Sequence, residues 1–106
     1  MVPMTEQEFR LKADEAIESA ERSLMPLADA EGFELERQNG VLQVEFEEPT
    51  PAKFVVSPNG PVRQIWVSAI SRSYKLAWSD ASSTFELDGE SLNAMLERLA
   101  RLHLAS

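Results

Sequence analysis

Three carboxylates recur along the first amphipathic stretch of the chain, and their spacing is the first sign of chemistry. Asp14, Glu18 and Glu21 stand at i, i+4 and i+7, which sets them along one edge of a helix. Like charges at this spacing repel by a few tenths of a kcal/mol per pair. Two more, Glu34 and Glu36, lie two apart in an alternating stretch, so they share one face of a strand at a separation of about 6.8 Å. If that helix lies beside that strand, the two sets merge into one ridge. Carboxylate oxygens unaccompanied by nitrogen or sulfur suit hard cations held weakly, with open coordination positions. The competing reading is a solvated polar face that only keeps the chain soluble.

A second candidate is Trp66. In Gln64-Ile65-Trp66-Val67-Ser68 the aliphatic Ile65 and Val67 are natural core residues, which turns Gln64, Trp66 and Ser68 toward solvent. An outward indole on an open sheet face is typical of a binding hot spot. The opposite register would bury Trp66 and expose two β-branched residues. Trp78, Tyr74 and Leu76 share parity and read as core.

Covalent catalysis has little to work with. His103 is the only histidine, and it falls in the last turn of a closing helix, where it covers the core edge or meets the helix C-terminal carbonyls. Cysteine is absent, which removes thiol catalysis, thiolate metal sites and disulfides. No GxSxG, P-loop or GxGxxG motif occurs, and the serines are scattered without an obvious base.

The elements that must position these groups are legible from periodicity. Thr5-Glu6-Gln7-Glu8 fits a capping box. Phe9, Ala13, Ala16, Ile17, Ala20 and Leu24 follow at helical spacing, and Pro26 predicts an end near Met25. Phe33 and Leu35 alternate with Glu34 and Glu36. Asn39-Gly40 is a hairpin turn pair, and Leu42, Val44 and Phe46 alternate in the next strand. A short third strand is expected over 53–56, a turn at Pro58-Asn59-Gly60-Pro61, strands over 64–69 and 73–78, and a short piece at 84–86. Asp88 is the expected N-cap of a closing helix carrying Leu92, Met95, Leu96, Leu99 and Leu102 on one stripe. Short connections force antiparallel pairing. The pattern predicts an α+β fold, a two-layer sandwich in which the N- and C-terminal helices cover one face of an antiparallel sheet of five or six strands.

At 106 residues the chain has room for one domain, and no apolar run approaches a membrane span. The net charge of −8 is uneven: residues 1–48 carry 13 acids against four bases, a net of −9, whereas residues 49–106 carry five acids and six bases. Such a field repels nucleic-acid phosphates and attracts cations or a basic protein surface. The N-terminus shows no signal-peptide pattern, so a cytoplasmic location is expected.

The residues resemble the frataxin family, and specifically its bacterial, CyaY-like members, from the helix at Glu8–Ala20 to Leu96–Leu99. The most specific segment is Ser57-Pro58-Asn59-Gly60-Pro61-Val62-Arg63-Gln64-Ile65-Trp66-Val67-Ser68. It is similar to the family's Asn-x-Gln-x-Pro, two residues, then Gln-aliphatic-Trp-aliphatic. Asn39-Gly40-Val41-Leu42 and Asp88-Gly89-Glu90-Ser91-Leu92 resemble family segments as well. Departures include Met25, Pro26 and Ala28 where relatives tend to carry acids, and Ser57 and Asn59 for the usual Asn and Gln.

The resemblance implies a non-catalytic, monomeric protein of iron–sulfur cluster assembly. It implies weak surface binding of Fe2+ and Fe3+ and docking on a cysteine desulfurase and an iron–sulfur scaffold protein, with no nucleic-acid or membrane partner. Asp14, Glu18, Glu21, Glu34 and Glu36 are then the candidate metal ligands, and Asn59, Gln64, Trp66 and Ser68 the candidate partner-binding residues. Ferroxidase activity, sometimes ascribed to the family, finds no dense buried carboxylate cluster in the sequence to support it. The rival from another class is an acidic, chaperone-like interaction module without metal function. Such modules are usually dimers with a helix between strands, whereas no helical stretch is read over 38–86.

Overall fold

The first helix starts where its cap predicts. The Glu8 amide donates to Thr5 Oγ1 at 3.1 Å and the Thr5 amide donates to Glu8 Oε1 at 3.4 Å, so the capping box closes in both directions. In the computed structural model, which describes residues 4–106, helix α1 spans Glu6–Glu31. It buries Phe9, Ala13, Ile17, Ala20, Leu24 and Ala28 along one stripe.

The expected end near Met25 is corrected: α1 runs through Pro26 for one further turn. Proline removes one backbone donor and crowds the preceding turn, at a cost of about 3 kcal/mol in a helix interior. Burial of Ala28, packing of Leu27 on the core, and a C-cap at Gly32 offset it. Gly32 takes φ 80°, and its amide donates to the Ala28 carbonyl at 2.8 Å.

The sheet is a plain antiparallel meander: β1 (Glu34–Gln38), β2 (Val41–Phe46), β3 (Ala52–Asn59), β4 (Gln64–Ala69), β5 (Arg72–Ser79), β6 (Thr84–Leu87) and β7 (Glu90–Ser91), paired in that order. Among the described residues it therefore has seven strands rather than five or six. The extra strand is only two residues long, too short for alternation to register, and it is created by the tight Asp88-Gly89 turn, where both residues have positive φ. Asn39 and Gly40, with φ of 54° and 79°, close the first hairpin as their types predict.

Two further boundaries move. β3 is longer than the expected 53–56 and absorbs Pro58 and Asn59, leaving a single 3-10 turn at Gly60–Val62. Pro58 is tolerated because pairing with β2 stops at Val56, so beyond that point β3 has a neighbour on the β4 side only. Asp88 is not the cap of the second helix. Helix α2 (Leu92–Leu104) is capped by Ser91, whose Oγ accepts from the Ala94 amide at 3.2 Å.

Both helices lie on one face of the sheet and touch each other, with Asn93 Nδ2 donating to Ser19 Oγ at 3.2 Å. The core between the layers holds Leu42, Val44, Phe46, Phe54, Val56, Ile65, Val67, Leu76 and Phe85 from the strands, against Phe9, Ile17, Leu24, Leu92, Met95 and Leu96 from the helices. Leu76 is fully buried as expected, whereas Tyr74 and Trp78 form the rim of the core. The Trp78 indole donates to Asp80 Oδ1 at 2.9 Å, and Lys12 Nζ stands 4.6 Å over the ring. His103 is buried, its ring 4.7 Å from that of Phe46, and its Nε2 lies 3.0 Å from the Thr50 carbonyl. A carbonyl only accepts, so the Nε2–H tautomer donates there and ties the β2–β3 loop to α2. Among the described residues no helix is long and apolar enough to cross a membrane.

Candidate functional site

Alternation along β1 sorts its side chains onto two faces. Phe33, just before the strand, is buried, and Leu35 packs on the core, so Leu35 and Arg37 face the helices. Glu34, Glu36 and Gln38 therefore face away from them. Pairing registers continue this outer face across the sheet: Glu34 lies opposite Glu45, Glu36 opposite Gln43, Asn59 opposite Gln64, Ser57 opposite Trp66, and Trp66 opposite Lys75.

The helix acids and strand acids thus lie on opposite faces of the sheet at its β1 edge. Asp14, Glu18 and Glu21 flank β1 on the helix side, while Glu34 and Glu36 stand on the open side, with the edge strand between them. Alternation had already placed Glu34 and Glu36 opposite Phe33 and Leu35, so this separation was implicit in the sequence.

A residue missed by sequence reasoning sits on the helix side. Arg37 Nε donates to Glu21 Oε1 at 2.9 Å, with side-chain exposures of 34% and 17%. This hydrogen bond, followed by the fields of Glu21, Glu18 and Asp14, raises the Arg37 guanidinium further above the ordinary arginine range. Glu18 also pairs with Arg22 one turn later, at 3.2 Å. The signal for Arg37 was its parity with Phe33 and Leu35, which sends a cation toward the helix. Glu34 and Glu36 are exposed and have no ion-pair partner among the described residues, while Glu45 meets Lys53 at 3.9 Å. Nowhere among the described residues do three or more His, Asp or Glu side chains gather as a metal cage. The carboxylates present suit weak, largely hydrated binding of a hard cation.

Trp66 stands outward, as the Ile65 and Val67 parity predicts, with 37% of its surface exposed and both neighbours fully buried. Its indole N–H donates to Gln64 Oε1 at 3.0 Å, and Lys75 Nζ lies 5.0 Å from the ring centroid. Lys75, a second residue the sequence reading did not single out, occupies the cross-strand position on β5. The ring is thus held at one edge by Gln64 and at its face by an ammonium, which limits the ordering a partner must impose. Asn59 and Ser68 lie on the same face, one beside Gln64 and the other beyond Trp66 on β4. Three strand spacings, roughly 14 Å, separate the Glu34–Glu36 edge from Trp66. The open face therefore joins an acidic edge to a preorganised aromatic centre.

The sequence profile of the family described as "Frataxin-like domain" matches residues 2–106. The protein named "Iron-sulfur cluster assembly protein CyaY" in Janthinobacterium sp. (strain Marseille) is 31% identical over 98 residues, covering 91% of this chain and 87% of that one. A protein of the same name in Paraburkholderia phymatum is 33% identical over 97 residues, covering 92% and 89%. Among solved structures, a frataxin from Psychromonas ingrahamii superposes with a TM-score of 0.69 at 16% identity, covering 92% of this chain and 89% of that one. That likeness establishes a shared fold.

Proposed function

The chain belongs to the frataxin-like family, and on that premise we propose that it acts in iron–sulfur cluster assembly as a non-catalytic, cytoplasmic, monomeric adaptor that binds iron weakly and docks on a cysteine desulfurase and its scaffold protein. Two bacterial relatives that match it over most of their length carry an iron–sulfur cluster assembly name. The observation that carries the adaptor reading is the outward Trp66, braced by Gln64 and Lys75 on the sheet face opposite the two helices. Exposing an indole without a partner is unfavourable, and central aromatic anchors dominate protein interfaces.

Iron in this reading is cargo. Exposed carboxylates gain little over hydrated ones, so Glu34 and Glu36 bind it with micromolar or weaker affinity and release it readily. The helix acids contribute less, because Glu21 and Glu18 already have arginine partners. The rival interaction-module reading expects a helix between strands, whereas the chain from β1 to β7 contains only the 3-10 turn at Gly60–Val62.

The test is retention on the immobilised protein. Purified cysteine desulfurase and scaffold protein are passed over wild type, Trp66→Ala and the Glu34→Gln/Glu36→Gln double variant. Retention by wild type, weakened at least tenfold in either variant, supports the adaptor role. Failure of wild type to retain either protein overturns it.

A further inference from the structure

The alternating positions of β1 that face the helices are Leu35 and Arg37, following the buried Phe33. At Leu35 that face still covers core. One step further along, toward the Asn39-Gly40 turn, it meets the acidic flank of α1, and there the chain supplies a cation. Arg37 is bound to Glu21, the helix acid with the more enclosed side chain, at 17% exposure against 43% for Glu18. The contact joins residues 16 apart in sequence across two elements, so it is fixed by the packing of α1 on β1 rather than by helix periodicity.

Glu18 has the exposed Arg22 one turn later on its own helix, but without Arg37 the more enclosed Glu21 would face the flank with no cation on it. With the guanidinium in place, an approaching metal ion meets a carboxylate whose oxygen is already engaged, together with a like charge beside it. The guanidinium does not lose its proton in any physiological range, so the block is permanent rather than pH-gated. Lysine would give a strongly hydrated point charge on a flexible stem, whereas arginine offers a preorganised planar donor.

We infer that Arg37 is a built-in counter-ion that keeps metal cations off the helix side of the acidic ridge. The inference rests on reading that ridge as a cation-facing surface, and it narrows iron binding in this chain to the open face carrying Glu34 and Glu36.

The experiment titrates Mn2+ alone into the full chain and follows paramagnetic broadening of backbone amide signals at residues 14, 18 and 21. Wild type, Arg37→Gln, Arg37→Leu and the charge-preserving Arg37→Lys are compared, with thermal unfolding of each as a fold control. Removing one positive charge a few ångströms from a divalent ion raises the affinity read at residues 14–21 by about tenfold in Arg37→Gln and Arg37→Leu. Arg37→Lys is expected to stay near wild type. Equal midpoints in wild type and both neutral variants overturn the inference, as does the absence of Mn2+ binding in all of them. Because no desulfurase or scaffold is present, a failure here is distinguishable from a failure of the adaptor role.

Discussion

Lys75 Nζ lies 5.0 Å from the centroid of the Trp66 ring, in the cross-strand position that β4 and β5 assign to the pair. Cation–π contacts at exposed sites contribute about 0.5–1 kcal/mol, so the pair orders the indole more than it stabilises the fold. Trp66→Ala therefore shifts unfolding stability by about 1 kcal/mol or less, while weakening partner retention at least tenfold. Leu76→Ala, one residue from Lys75 and fully buried, costs about 2–5 kcal/mol in the same denaturation experiment. A Trp66→Ala loss as large as that of Leu76→Ala would place the indole in the core.

Pro26 tests a different kind of energetics. It stands inside α1 with a further turn beyond it, which local propensity alone would not allow. Pro26→Ala restores the missing helical donor and removes the clash with the preceding turn, and it is expected to raise stability by about 1 kcal/mol or more. Greater freedom of the unfolded chain opposes part of this gain. A melting temperature that falls on substitution would mean that the proline ring contributes packing that outweighs its backbone cost.

Elements that depend on local pattern were legible in the sequence. The capping box, the apolar stripes of both helices, the Asn39-Gly40 hairpin and the outward parity of Trp66 all follow from residue types at fixed offsets. Features decided by tertiary contacts were less so. The extension of α1 past Pro26 depends on what Leu27 and Ala28 meet across the layer. The separation of Glu34 and Glu36 from the helix acids did follow from alternation, but using it required knowing which face of β1 the helix covers. Arg37 carried the same signal, since its parity with Phe33 and Leu35 directs it inward, and only the fold shows that Glu21 waits there. Tyr74 and Trp78 share the core parity of Leu76 yet end at the rim, only partly buried against the core, which parity alone does not distinguish from full burial.

The start of α2 separates two serviceable caps three residues apart. Asp88 has the right chemistry, but it takes φ 51° in the β6–β7 turn, and Ser91 supplies the oxygen that the Ala94 amide needs. Ser91→Ala is expected to cost about 1 kcal/mol in denaturant unfolding. Asp88→Asn, which keeps both turn tolerance and capping ability, is expected to change stability little. If Ser91→Ala costs nothing measurable, the hydroxyl of Ser91 is not what caps the helix.

Acid sensitivity has a specific contributor on the far side of the molecule. Arg98 Nε and a second guanidinium nitrogen reach the two oxygens of Glu90 at 2.7 and 2.8 Å, a bidentate pair joining β7 to α2. The hydrogen bond from Arg98 holds the Glu90 carboxyl below the usual glutamate value of 4.5. A carboxyl whose value is depressed in the folded state adds stability that is present above about pH 4.5 and is lost as pH falls through the lower, folded value. The pair is partly solvated, with side-chain exposures of 47% and 27%, so its contribution is about 1 kcal/mol or less. Urea unfolding of wild type and Glu90→Gln should accordingly differ by a constant amount from about pH 7 down to about pH 5, and converge as the medium becomes more acidic. A difference that shows no decline as the medium is acidified well below about pH 4.5 would assign the cost of the substitution to packing at the β6–β7 turn instead of to the charge.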